Sequence, residues 1–195
     1  MHSAAWNLAW TLVLASLALS LVVWAGWLDW RVRRIPNWLT VPALAAGLAV
    51  NTLAWGWQGL RAEQGLKAGL EGAGLGLALL LPFVLLRGLG AGDWKLMGAL
   101  GALLGPSKLL VVLLGTIFIA GAMAAAQMIR HGRVKETLYH VGVLFVILIT
   151  FGVRGQRHNL TLDNPGLMKL PFGVAAAVST LLLFGTLSAL RILRS

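Results

Sequence analysis

Long apolar runs separated by short polar segments form the main pattern of this chain. Most of these runs reach about 20 residues, the length that an α-helix needs to cross the hydrocarbon core of a membrane. We predict helices over residues 4–30, 37–57, 65–86, 92–106, 108–129 and 171–190. The fourth, which starts at Gly92 or Asp93, is short for a span. The pattern therefore predicts an all-α integral membrane protein, a bundle of about six transmembrane helices that forms a single membrane-embedded domain over residues 1–195.

The apolar run over residues 137–153 has two interpretations. If it crosses the membrane, Arg154 and Arg157 lie outside, against the usual excess of Lys and Arg on the cytoplasmic side. If it lies in the cytoplasmic interface, those charges stay inside, but Arg191 and Arg194 after the last helix then lie outside. The charge pattern favours an interfacial or re-entrant helix, with a seventh span as the alternative.

Composition and charge agree with a membrane protein. The chain is 58% hydrophobic and 11% charged, whereas soluble domains average about 45–50% and about 25%. Its net charge of +10 comes from Lys and Arg in short loops, which favours anionic membrane lipids over nucleic acid as partners. Arg31, Arg33 and Arg34 place the end of the first helix in the cytoplasm. The absence of cysteine excludes disulfides, thiolate metal sites and a cysteine nucleophile.

The six acidic residues are few enough to be considered one by one. Glu63, Glu136 and Asp163 fall in loops or turns, where a solvated surface charge is the simplest interpretation. Glu71 lies inside the third helix, four residues after Lys67, with which it can form a helical ion pair. None of these four positions points to chemistry.

The other two acids, Asp29 and Asp93, lie at the cytoplasmic ends of two different apolar helices, and so at the same depth on the same side. A carboxylate at the edge of hydrocarbon is costly and is usually retained for function. Each has a structural alternative: Asp29 can pair with Arg33 at i+4, and Asp93 can be the N-cap of its helix. Their common location instead predicts two carboxylates that meet in space, an arrangement suited to activating water.

Three short segments resemble a known family. Residues 90–96, Gly-Ala-Gly-Asp-Trp-Lys-Leu, resemble the GxGD-x-K-L motif of the type IV prepilin peptidases, the GxGD class of intramembrane aspartic proteases. Residues 29–40, an Asp followed by Ile-Pro-Asn-x-Leu-Thr, resemble the family's other catalytic segment. Residues 170–173, Leu-Pro-Phe-Gly, resemble the element that begins its last helix. The three segments stand in the family's order and cover most of the chain.

The resemblance implies a catalytic dyad of Asp29 and Asp93, supported by Pro171 and Gly173. It also implies an active site at the cytoplasmic face of the inner membrane that removes the leader peptide from type IV prepilins or prepilin-like proteins. The chain is more similar to the short peptidases of tight-adherence (Flp-type) pilus systems than to the long bifunctional ones, whose N-terminal part with paired cysteines it lacks. Archaeal preflagellin peptidases share the layout. We expect no methyl-donor site and no other cofactor.

Five further residues are candidates for support of the site. Gly90 and Gly92 would let the backbone bring Asp93 close to a substrate, since glycine adopts conformations that other residues avoid. Lys95 can tune the acid pair or hold the fourth helix at the interface, with an ordinary snorkelling lysine as the alternative. Pro36 and Asn37 are expected to shape the turn behind the first acid.

The chemistry of a peptidase fits two close carboxylates. They cannot both ionise easily and therefore share a proton, so that one serves as base and the other as acid at the same pH. No metal is expected: the sequence has no His-Glu-x-x-His, and its four histidines show no ligand spacing. A serine nucleophile is not indicated either, because no Gly-x-Ser-x-Gly sequence is present.

Two other functions remain open at this point. The acids could relay protons in a proton-coupled transporter, or bind a partner's cations in a non-catalytic subunit of a pilus or secretion assembly. A transporter would more often show repeated halves with broken helices, which this sequence does not show. A scaffold subunit would not need a pair of acids at one depth. The pattern does not determine the oligomeric state or the particular prepilin.

Overall fold

The computed structural model describes residues 4–57, 64–85, 89–130 and 171–192, and these residues contain helices and no strand. The helices are α1 Ala4–Val32, α2 Asn37–Trp55, α3 Gly65–Leu85, α4 Ala91–Leu104, α5 Pro106–Arg130 and α6 Phe172–Ile192. The prediction of an all-α protein with about six helices is confirmed. The helix predicted over 137–153 lies outside the described residues.

Local sequence explains why three of the predicted helix boundaries shift. Gly56 follows α2 with a φ of 69°, and Gly105 follows α4 with a φ of 76°. Only glycine adopts this region without strain, so each ends its helix. For this reason α2 ends at Trp55 rather than at residue 57. Pro106 suits the first position of a helix, where no N–H partner is needed, so α5 begins two residues before the predicted start.

The short helix α4 is the centre of the bundle. It has 14 residues, or about 21 Å, and is therefore shorter than the hydrocarbon core of about 30 Å. The other five helices are long and apolar enough to cross a membrane. All residues from 96 to 104 are buried, and α4 contacts each of the other five described helices. Large apolar side chains such as Trp27, Leu53 and Phe118 are exposed on the outside, where lipid would cover them.

Glycines on one face of α3 allow it to approach α4 closely. A Cβ on Gly72 would overlap the carbonyl group of Gly101, and a Cβ on Gly76 would lie 2.7 Å from the carbonyl oxygen of Met97. Gly74 takes no part in this contact, because nothing lies within 4 Å of its Cβ position. This glycine lies on the opposite side of α3 from the contact.

The register between α2 and α4 places their N-terminal ends side by side. Asn51 donates a hydrogen bond from Nδ2 to the carbonyl oxygen of Ala102 at 3.0 Å, near the C-terminal ends of both helices. Lys95 donates from Nζ to Oδ1 of Asn37 at 2.9 Å, near their N-terminal ends. The two helices therefore run in the same direction. Because α1 joins α2 through a short loop, the C-terminal end of α1 meets the N-terminal end of α4.

Candidate active site

Asp29 lies in the last turn of α1 and is 6% exposed. The helix ends at Val32 because Arg33 has a left-handed φ of 53°. The backbone N–H of Arg33 donates to the carbonyl oxygen of Asp29 at 2.9 Å, which closes the final turn. The chain then passes through residues 34–36 into α2, so the end of α1 and its acid lie next to the start of α2.

The N-terminus of α6 supplies a hydrogen-bond donor to Asp29. The backbone N–H of Gly173, the second residue of α6, donates to Oδ2 of Asp29 at 2.7 Å, and the amide of Val174 lies close to the same carboxylate. The first N–H groups of a helix have no partner within it and carry partial positive charge, so they stabilise an acid placed there. A Cβ on Gly173 would lie 3.0 Å from the Cβ of Asp29 and 3.1 Å from Cδ1 of Ile35, so glycine permits this approach.

Asp93 is the third residue of α4, and Gly90 is the N-cap of that helix. The Asp93 carboxylate accepts a hydrogen bond from the backbone N–H of Gly90, as the acidic residue of a capping box does. The alternative that Asp93 is itself the N-cap is therefore wrong. A Cβ on Gly90 would lie 2.9 Å from Oδ2 of Asp93, so this glycine leaves room for the carboxylate.

The two carboxylates are close enough to influence each other. Burial and, to a smaller extent, the negative charge of Asp29 raise the pKa of Asp93 from 3.8 to about 7. A like charge has such an effect only at short range. The structure thus brings together two acids that are far apart in the chain.

Ile35 lies between the two acid-bearing segments, and sequence reasoning missed it. Its side chain is buried, and its carbonyl oxygen would lie 2.7 Å from a Cβ on Gly92. The expectation that Gly90 and Gly92 adopt unusual backbone conformations is wrong, because Gly90 has a φ of −69° and neither has a positive φ. What matters at Gly92 is the missing side chain. The sequence did contain a signal for Ile35, since it is an apolar residue in an otherwise basic turn, directly before Pro36.

The remaining candidates occupy the edges of this site. Pro36 is the N-cap of α2, and Pro171 precedes α6, where its carbonyl oxygen accepts the N–H of Ala175 at 3.3 Å. Lys95 is half-buried and bonds to Asn37, so it links α4 to the start of α2 rather than pairing with either acid. Of these contacts, the one between Lys95 and Asn37 joins two helix ends, those of α4 and α2.

The alternative ion pair between Asp29 and Arg33 does not form. Within the part of the chain that the structure describes, the ion pair is that of Lys67 and Glu71 at 3.8 Å, which the sequence predicts on α3. Both of its side chains are about half-exposed, so it contributes little to stability. In the same described ranges, no group of three His, Cys, Asp or Glu side chains could hold a metal ion.

The raised pKa of Asp93 predicts a stability that depends on pH. Between about pH 4 and pH 7 the folded protein keeps a proton that the unfolded chain has lost, so stability falls as pH rises through this window. Asp93→Asn cannot ionise and should escape this loss, which amounts to at most about 4 kcal/mol above pH 7. The free energy of unfolding in detergent, compared at pH 5 and pH 8, measures this loss of stability. Glu71→Gln is the control, and an equal pH dependence in wild type and Asp93→Asn would contradict the expectation.

The fold and the site define a class of protein: a helical bundle, whose described part has five helices long and apolar enough to cross a membrane, with a buried and a half-buried acid in electrostatic contact at one end. The model of the type IV leader peptidase family matches residues 16–125. This match includes Asp29 and Asp93 and covers more than half of the 195 residues, so the chain belongs to the type IV leader peptidase family. It is a multi-pass membrane protein of a protease family, and the family implies prepilin-like substrates. No curated protein and no solved structure matches the chain.

Proposed function

We propose that this chain is an aspartic endopeptidase that removes the leader peptide from type IV prepilins of the Flp type, or from prepilin-like proteins. In this proposal Asp29 and Asp93 activate a water molecule. The observation that carries it is the electrostatic influence of the buried Asp29, at the end of α1, on the half-buried Asp93, at the start of α4. Family membership supports the substrate class.

The surroundings of the two acids support different roles for them. Asp29 faces N–H donors at the start of α6, which can only donate and therefore stabilise its carboxylate form. Burial raises the pKa of Asp93 to about 7, so a large fraction of this carboxyl group keeps its proton near neutral pH. Asp29 is then the general base, and Asp93 is the general acid.

The proposed reaction needs one water and no covalent intermediate. Asp29 takes a proton from water while the water oxygen bonds to the scissile carbonyl carbon. When the C–N bond breaks, Asp93 gives its proton to the departing amine. The reaction leaves Asp29 protonated and Asp93 ionised, and transfer of one proton between them restores the starting state.

The charge distribution supports a cytoplasmic site in the inner membrane. Arg31, Arg33 and Arg34 follow the acid of α1, and Arg130 ends α5 on the same side as the acids. An excess of Lys and Arg marks the cytoplasmic side, where anionic lipid headgroups also attract them. A prepilin leader would thus meet the acids at the inner surface.

The test of this function is cleavage by the purified chain in lipid vesicles. We expect a Flp-type prepilin to be split into leader and mature protein, with one ¹⁸O from labelled water in the new carboxyl group of the leader. Strong chelators should leave the rate unchanged, because the proposed steps use no metal. Mass spectrometry of both products measures cleavage and label. Absence of cleavage for every prepilin class offered, or loss of cleavage with chelator, would contradict the proposal.

A further inference from the structure

Ile35 packs against the starts of two helices, and each of these starts belongs to one of the acids. A Cβ on Gly92, the residue before Asp93, would lie 2.7 Å from the carbonyl oxygen of Ile35, 3.1 Å from its Cβ and 3.3 Å from its backbone nitrogen. A Cβ on Gly173, whose N–H bonds to Asp29, would lie 3.1 Å from Cδ1 of Ile35. The backbone of Ile35 therefore packs on the start of α4, and the tip of its side chain packs on the start of α6.

The contact with α6 also includes the first acid. A Cβ on Gly173 would lie 3.0 Å from the Cβ of Asp29 and 3.1 Å from its Oδ2, so the acid and the tip of Ile35 surround the same point of α6. A second close approach holds α6 on α1, because a Cβ on Gly26 would lie 3.4 Å from the carbonyl oxygen of Gly173 and 3.1 Å from the Cβ of Ala177. The end of α1, the start of α6 and the side chain of Ile35 thus form one packed contact.

The turn that carries Ile35 has little conformational freedom. Arg33 has a left-handed φ of 53°, and its N–H closes the last turn of α1 on the carbonyl oxygen of Asp29. Ile35 precedes Pro36, the N-cap of α2, and a residue before proline is restricted to extended conformations. Branching at Cβ further limits the rotamers of the Ile35 side chain. A displacement of either helix start therefore meets a residue that cannot easily adjust.

The side chain of Ile35 also keeps water away from this end of the bundle. It is 8% exposed and belongs to the apolar core that the helices share. An apolar group that excludes water lowers the local dielectric constant, and charges nearby then interact more strongly. The position of Ile35 and its chemistry thus both bear on how strongly the two acids influence each other.

We propose that Ile35 is a positioning residue of the active site, an apolar spacer that fixes the separation of Asp29 and Asp93 through its contacts with the starts of α4 and α6. The inference rests on the proposed aspartic peptidase activity. Ile35 has no group that can take or give a proton, so it acts only through the two acids. With a shorter side chain at this position, the start of α6 is free to shift and water can enter beside the acids.

Both consequences of a shorter side chain lower the pKa of Asp93. Burial is the larger cause of its raised pKa, and the charge of Asp29 is the smaller one. Entry of water reduces the first cause, and a larger separation of the acids reduces the second. The variants below leave the described basic side chains at this end unchanged, and these are Arg31, Arg33, Arg34, Lys95 and Arg130.

The experiment titrates Asp93 by infrared spectroscopy of the purified protein in lipid vesicles, which needs no cleavage. The C=O band of protonated Asp93 is assigned as the band lost in Asp93→Asn. Its midpoint should fall by about half a pH unit or more in Ile35→Ala, and by less in Ile35→Val, which loses only Cδ1. Leu14→Ala is the matched control and should keep the wild-type midpoint. Leu14 is also 8% exposed, but it lies about 22 Å from Asp29 along α1.

Cleavage gives a second readout. Ile35→Ala should lower kcat about tenfold or more with little change in KM, because misplaced catalytic groups lose rate steeply. The alkaline limb of its kcat–pH profile should move to lower pH together with the infrared midpoint, since the general acid must be protonated.

The role of Ile35 is overturned if Ile35→Ala keeps the wild-type midpoint or the wild-type kcat, or if Leu14→Ala shifts the midpoint equally. If Ile35→Ala does not fold, Ile35→Val decides, and a wild-type midpoint in that variant overturns the role. If wild type cleaves no prepilin, the proposed function fails, and the infrared midpoint alone then decides about Ile35.

Discussion

Replacement of Asp29 or Asp93 by asparagine is expected to abolish leader removal. Asparagine has nearly the same size and can still accept the backbone N–H of Gly173 or Gly90, so the bundle should fold. It cannot take a proton from water or give one to the departing amine. Loss of general acid or base catalysis lowers rates by about 10³-fold or more in a site that depends on both. The measurement is the initial rate of prepilin cleavage by purified variants in vesicles.

The control for both variants is Glu71→Gln, which removes a half-exposed carboxylate near the opposite end of the bundle. Its cleavage rate should equal that of wild type. The double variant Asp29→Asn, Asp93→Asn should be no slower than the single ones, because two groups that act as a unit are not additive. Cleavage at the wild-type rate by either single variant, at normal protein level, would rule out the acid pair as the catalytic group.

The second large effect is expected at the contact between α3 and α4. Gly72→Ala places a methyl group into the backbone of Gly101, with the carbonyl carbon of Gly105 only 3.0 Å away. Backbone cannot yield as a flexible side chain can, so we expect a loss of about 3 kcal/mol or more in the free energy of unfolding. Because α4 carries Asp93, its displacement should also reduce cleavage. Unfolding in detergent and the cleavage rate measure the two consequences.

Gly74→Ala is the matched control for this packing effect. It lies two residues away on the same helix and has nothing within 4 Å of its Cβ position. Alanine should therefore be tolerated or should stabilise α3 by at most about 1 kcal/mol through its higher helix propensity. Equal destabilisation by both variants would show that the effect comes from the helix itself and not from its contact with α4.

The contrast between Gly72 and Gly74 shows how much of the helix packing can be predicted from the sequence. At 100° per residue, Gly76 falls within about 40° of Gly72, whereas Gly74 falls about 160° away. Periodicity alone could therefore have separated the glycine that faces outward. It could not have named Gly101 as the partner, because helical periodicity defines a face and not what packs against it.

Asp93 and Ile35 show a similar division between what the sequence predicts and what only the structure shows. The sequence predicts an acid at the start of α4. That the carboxylate of Asp93 accepts a hydrogen bond from the N–H of Gly90 follows only from the structure, in which the helix begins at Ala91. Ile35 became part of the site because Gly92 lets its carbonyl group approach α4. Contacts of this kind depend on the register between segments, which no local pattern contains.

By itself the sequence determined the helices, their apolar character and the two acids at helix ends, since these follow from run length, periodicity and the cost of charge in hydrocarbon. Only the tertiary structure decided that α4 is central and that the start of α6 supplies the donor to Asp29. The physical reason is that these features arise from close backbone approach between helices distant in the chain. Such approach is set by the fit of whole helix faces.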